Sequence, residues 1–278
     1  YPGLGNLYLY ESTGIYKELQ VVTSANTRVN DHVSLNGYWS WNDYHSNSRG
    51  LPSNQYDTSV DWGSAGRPSH RFFLIGTVGL PWGWTASPVF SATTADRFDI
   101  TIGQDYNHDG VGNDRPALAP VGAACGGDIV CTPYGNFNKN PGPNYTPIPV
   151  NYAFGYSRWN ADIRLSRTWG WGESRNVAAA MGGGGGGGRR GGGRRGGGGF
   201  GRGGGFGRVG GGNSHRYNIG LTVAATDLFN HVNLSNPNSS LNSPLFGQTL
   251  NAVSTGQGLG RGAVTGTRRI QFTLRFSY

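Results

Sequence analysis

An all-β fold whose sheet carries one oily and one wet face is what the sequence predicts, and three observations predict it. The first is composition: of 278 residues, 50 are Gly, 14 Tyr, 12 Phe and 8 Trp, while 14% are charged and 36% hydrophobic. Disordered chains are poor in aromatics and rich in charge, so the aromatics weigh against disorder of the whole chain. The second is that no run approaches the ~18 apolar residues of a membrane-spanning helix, and no stretch carries the 3.6-residue period of an amphipathic one. The third is repeated alternation of apolar and polar residues. An antiparallel transmembrane β-barrel unites these features, because alternate residues meet lipid while the others meet a wet lumen.

Seven strands are expected. The first covers roughly Tyr8 to Ala25, with Leu19 and Val21 outward. In HVSLNGYWSWN, Val33, Leu35, Gly37, Trp39 and Trp41 alternate with Ser34, Asn36, Tyr38, Ser40 and Asn42. Two strands flank the turn PWGW, with Phe72, Leu74, Val78 and Leu80 before it and Ala86, Phe90 and Ala92 after it. Pro88 marks an irregularity there, since proline cannot donate to a ladder. In SRWNADIRLSRTW, Trp159, Ala161, Ile163 and Leu165 share a phase, as do Tyr217, Ile219, Leu221, Val223 and Ala225 in HRYNIGLTVAATDLFN. The last strand, RRIQFTLRFSY, is the clearest, with Ile270, Phe272, Leu274, Phe276 and Tyr278 on one face. Its other face holds Arg269 and Arg275, which an apolar core does not tolerate without partners. Lipid on one side and water on the other satisfies both faces; a half-solvated soluble sheet alternates in the same way.

Connections alternate in length. Short ones lie near Thr27–Asp31 and Leu80–Trp84; long ones run about Asp43–Pro68, Gln104–Asn151 and His231–Thr267. Outer-membrane barrels have short periplasmic turns and long extracellular loops. Counting back from a last strand that ends on the periplasmic side, all three long connections fall outside. Trp82, Trp84, Trp169 and Trp171 then cluster at the periplasmic end, as an interfacial girdle does.

The formal charge of +8 is concentrated. Arg189, Arg190, Arg194, Arg195, Arg202 and Arg208 all lie in the Gly/Arg-rich stretch 182–212, which holds no acid. Without them roughly +2 remains, so a nucleic-acid-binding face across the fold is not expected. The stretch has too few apolar groups to fold and reads as a disordered insertion in a periplasmic turn. Taken alone it resembles an RNA-binding RGG segment. Cys125 and Cys131 lie close together without a histidine cluster, which excludes a zinc site. A local disulfide, and with it an oxidising compartment, is the expectation; two free thiols are the alternative. The opening YPGLGNLYLY has no initiator Met and no signal peptide, as in a piece of a longer protein.

The run HRFFLIGTVGLPWGWTASPVFSATTADRFDITIGQDYNHDGVGNDRP resembles a hairpin of large TonB-dependent outer-membrane receptors of the type with an N-terminal carboxypeptidase-regulatory-like domain. ATDLFNHVNLSNPNSSLNSPLFGQ, the closing RRIQFTLRFSY and the early ESTGIYKELQVVTSANTRVNDHVSLNGYWSWND resemble the same family. The family barrel is ~22-stranded, so the resemblance implies that residues 1–278 are the C-terminal part of such a wall. It implies bacterial outer-membrane lipid as the surroundings and the barrel assembly machinery as a partner. Phe272, Phe276 and Tyr278 match the terminal signal which that machinery reads. It implies, too, an inner-membrane TonB complex acting through a plug domain that this chain lacks, and a ligand captured outside the cell.

One loop carries candidate metal ligands. In DYNHDGVGND, Asp105, Asn107, Asp109, Gly110 and Asn113 follow a calcium-loop spacing, but the twelfth position is Pro116, leaving Asp114 as the substitute. A polar turn is the plainer reading. No catalytic constellation is found: the histidines are scattered, and no nucleophile elbow, phosphate loop or dinucleotide motif occurs. A barrel-wall and ligand-capture portion of a transporter is therefore expected, with no enzymatic role and no resident cofactor. Loop aromatics Trp41, Tyr44, Tyr56, Trp62, Tyr134, Phe137 and Tyr145 are its candidate ligand contacts. The alternatives are a small self-contained porin or adhesin, and a soluble β protein with an RNA-binding segment.

Overall fold

A computed structural model of the chain describes residues 12–48, 50–174, 215–253 and 266–278. In chain order the strands are β1 (Tyr16–Arg28), β2 (Val33–Ser46), β3 (Gly63–Ser64), β4 (His70–Gly79), β5 (Thr85–Thr93), β6 (Arg97–Phe98), β7 (Ala117–Leu118), β8 (Ile129–Thr132), β9 (Gly135–Asn138), β10 (Ala153–Phe154), β11 (Arg158–Ser174), β12 (His215–Thr226) and β13 (Arg269–Ser277). The long ones form a single antiparallel sheet in the order β1-β2-β4-β5-β11-β12-β13, and β3 attaches to the end of β2. Every strand lies beside its predecessor, which is the arrangement that hairpin connections produce. Among the described residues β1 and β13 do not pair with each other, so the sheet is open.

These are the seven expected strands with shifted boundaries: β2 continues to Ser46, past the expected start of a long connection at Asp43, and β11 continues past Trp169 to Ser174. Of the first, residues 8–11 lie outside the described residues; 12–15 are not in a strand, and β1 runs from Tyr16 to Arg28 rather than to Ala25. Its extent follows its partner: Tyr16 faces Ser46 and Arg28 faces Ser34, so β1 lasts as long as β2 does. Pro88 stays within β5, opposite Ile163 of β11, and β4–β5 pairing is interrupted at Gly76 and Thr77, with the same register on either side. The Gly/Arg-rich stretch 182–212 lies outside the described residues.

Register sets the apolar phases side by side. Thr23, Trp39, Phe72, Ala92 and Trp159 form one row across five strands. Val33, Val78, Ala86, Leu165, Val223 and Phe272 form another. No large side chain of this phase is buried, and Phe272 and Leu274 are each 72% exposed. The opposite, polar phase is covered only towards the loop end of the central strands, where Ser40, Asn42, Ser91 and Asp162 are buried; on β1 and β13 both phases are exposed. Asn42 accepts from Gln20 Nε2 at 2.6 Å and donates to Ser40 Oγ at 3.2 Å, and Asp162 accepts from Asn160 Nδ2 at 2.7 Å. In these central strands the usual polarity of a sheet on a core is inverted.

The long connections β2–β4, β5–β11 and β12–β13 emerge at one end of the sheet; β1–β2 and β4–β5 turn at the other. Far from being loose, the long ones pack together. Phe98, Ile100, Phe137, Ile148, Ala153 and Leu241 make a core of their own, flanked by the small sheets β7-β9-β8 and β10-β6. This layer holds the molecule's apolar interior, while the main sheet keeps its apolar side open.

Candidate functional site

The open apolar face is bordered by aromatic rings at its short-turn end. Trp84 meets Trp169 edge-on at 6.1 Å, Trp171 stacks on Tyr217 at 6.1 Å, Tyr217 on Phe276 at 6.5 Å and Phe276 on Tyr278 at 6.2 Å. Trp82, at the tip of the β4–β5 turn, is 83% exposed with φ 60°, a left-handed backbone that bulky residues seldom adopt. Charges of the outward phase stand towards the ends of the strands. Lys17 and Asp43 lie at the loop end, whereas the Arg167 guanidinium sits 4.8 Å over the Trp169 ring.

The candidate metal ligands come together only in part. Asp105, Asn107 and Asp109 share one tight turn, but backbone N–H groups already occupy their oxygens. Asp105 accepts from Asp109 and Gly110, Asn107 from Asp109, and Asp109 from Val111 and Gln55. Asn113 turns away to donate to the Leu51 and Pro52 carbonyls. Asp114 is buried beside the turn and accepts from Tyr106 N at 2.7 Å and Asn107 N at 3.4 Å. Burial raises its pKa above 3.8, with those N–H groups opposing the shift and Asp109 and Asp105 adding to it. Among the described residues no three His, Cys, Asp or Glu side chains converge as a metal cluster. Cys125 and Cys131 are joined in a disulfide that closes the turn before β8.

Several expected ligand contacts are structural instead. Trp41 and Tyr44 belong to strand β2, not to a loop. Phe137 is fully buried in the loop core, and Tyr134 packs against it. Tyr145 donates its hydroxyl to the Arg115 carbonyl at 2.8 Å, and burial raises its pKa to about 12. Tyr56 and Trp62 do stay exposed.

A polar cleft that sequence reasoning missed lies between the loop layer and the sheet. One cavity of about 600 Å³ is bordered by Arg67, Arg97, Arg115, Asp61 and Asp99; a second of about 350 Å³ by Arg67, Arg71, Arg158 and Asp96. Arg115 is almost wholly buried and pairs with Asp61 at 2.9 Å, which ties the β5–β11 connection to the β2–β4 connection. Asp61 also accepts from Ser53 N and Oγ at 2.8 and 2.6 Å. Lying between Asp114 and Pro116 in an aperiodic loop, Arg115 gives no local sign of a partner so distant in sequence. Comparison with protein-family models, with curated proteins and with solved structures finds no match.

Proposed function

We propose that this chain is part of the wall of a bacterial outer-membrane β-barrel, within a TonB-dependent receptor. The observation that carries the membrane reading is the apolar face left open across seven strands, while polar residues of the opposite face, Ser40, Asn42, Ser91 and Asp162, are the ones buried in the central strands. Soluble monomers seldom expose apolar patches beyond a few hundred Å² without a partner for them. Hydrocarbon is the partner that suits an extended, featureless one. The ring of Trp, Tyr and Phe at one end suits an interfacial girdle. Arg167 lies at that level, where a guanidinium reaches headgroups across an aromatic ring.

The outer edges of β1 and β13, which pair with no strand among the described residues, support the larger wall. Hydrocarbon satisfies no backbone N–H or C=O group, so such edges pair with further strands. The receptor assignment itself rests on the resemblance of the strand and loop sequences. On this reading Phe272, Phe276 and Tyr278 present the terminal signal to the assembly machinery. The packed loop layer faces outward to capture ligand, and TonB acts through a plug domain elsewhere. Fractionation tests the proposal: the full-length protein is expected in the outer-membrane fraction, with migration that changes on heating. Recovery as a soluble protein without detergent would overturn it.

A further inference from the structure

The cleft beneath the loop layer carries more positive charge than its own residues neutralise. Five arginines, Arg67, Arg71, Arg97, Arg115 and Arg158, border its two cavities, against Asp61, Asp96 and Asp99. Two arginines are accounted for, by the ion pairs Arg115–Asp61 and Arg158–Asp96 at 2.9 and 2.7 Å. Asp99 is engaged by the backbone, accepting from Asn151 N at 2.5 Å. Among the described residues Arg67 and Arg97 make side-chain contacts with rings and no hydrogen bond or ion pair, over Tyr44 at 5.6 Å and over Phe154 at 4.2 Å. These contacts leave their donor edges unused, since a ring face attracts the cation without accepting its N–H groups as a carboxylate does.

The buried donors point the same way. Among the described residues Arg71 Nε has no acceptor, and Arg115, 2% exposed, has none for Nε or Nη1. A buried donor left unpaired costs about 1–3 kcal/mol, so the arginine cluster is short of acceptors within the chain's own described residues. The backbone segments that carry Arg67 and Arg97 approach closely. Gly66 has φ 72°, and a Cβ there would stand 3.0 Å from the Arg97 carbonyl oxygen, so glycine allows the Arg67 and Arg97 segments to meet.

We infer that this cleft binds the oxyanion group of a small soluble solute, a carboxylate or a phosphate, between Arg67 and Arg97 and above Arg115. Planar guanidinium forks match both oxyanions bidentately. The inference deepens the receptor reading by naming the chemistry of its ligand, and it rests on that reading only for the direction of transport. The cleft is a local feature of the loops and the polar face.

The test is calorimetric titration of the detergent-purified full-length protein with inorganic phosphate and with citrate, in chloride at constant ionic strength. Binding of at least one probe is expected, and which one binds separates phosphate from carboxylate. The double variant Arg67→Gln/Arg97→Gln is expected to weaken it at least tenfold. Arg28→Gln is expected to leave binding unchanged, because Arg28 pairs with Asp31 at the opposite end of the sheet. Absence of binding by both probes, or equal binding by parent and double variant, overturns the inference. Should the double variant lose its near-ultraviolet dichroism, Arg71→Gln alone takes its place. Heat-modifiable migration of the same sample keeps the two proposals apart. A barrel that binds neither probe sinks the inference alone; binding by a protein that is no barrel sinks the receptor reading alone.

Discussion

Replacing Phe272 by arginine asks directly what covers the apolar face. Phe272 pairs with Val223, whose other neighbour is Leu165, and 72% of it is exposed. It lies six residues before Tyr278, in the aromatic band. At ~3.3 Å per residue and a strand tilt of ~40°, that is about 15 Å of depth, close to the middle of an apolar band ~25 Å tall. Arginine at that depth is expected to cost about 2–4 kcal/mol. In water the same change at an exposed site stays within about 0.5 kcal/mol. The neighbouring Thr273, opposite Thr222 on the polar phase, supplies the control: Thr273→Arg is expected to be nearly neutral. Folding of the full-length protein into lipid vesicles, followed by tryptophan fluorescence across a denaturant series, measures both variants. If the two agree within about 0.5 kcal/mol, water rather than lipid faces Phe272 and the membrane reading is lost.

Other perturbations address the loop layer. Asp61→Ala strands the buried Arg115 charge and is expected to destabilise that layer by about 3–5 kcal/mol, with Asp61→Ala/Arg115→Met recovering part of the loss; amide hydrogen exchange over 94–157 is the readout. Asp114 has a raised folded pKa, so its contribution is greatest below 3.8 and is lost as pH rises through the folded value. Unfolding midpoints of the parent relative to Asp114→Asn are therefore expected to fall as pH increases from about 3 to about 7, and a rising difference would reverse the sign of that argument. Reducing the Cys125–Cys131 disulfide, or replacing both residues by serine, is expected to cost about 2 kcal/mol by the chain-entropy argument for so short a loop. Denaturation with and without dithiothreitol measures it, and the loss should be confined to exchange in the β7-β9-β8 sheet.

The strands were legible because alternation is a local property. Two neighbouring residues on a strand must point to opposite faces, so Ile270, Phe272, Leu274 and Phe276 declare a common side without reference to any partner. Turn lengths declared which connections share an end, for the same reason. Boundaries were less legible: β1 stops at Arg28 because its partner β2 begins there, which its own residues do not reveal. The loops were least legible. Phe137 reads as an exposed aromatic in a polar stretch, yet it is fully buried, because Phe98, Ile148 and Leu241 converge on it from other segments. Asp105 and Asp109 read as cation ligands by their spacing, whereas folding gives their oxygens backbone N–H groups. Arg115 could be matched to Asp61, and Arg67 to Arg97, only once the connections were folded over the sheet. Strand identity and facing thus follow from the backbone's two-residue period. The loop core, the buried ion pair and the basic cleft depend on contacts between residues far apart along the chain, and tertiary packing alone decides those.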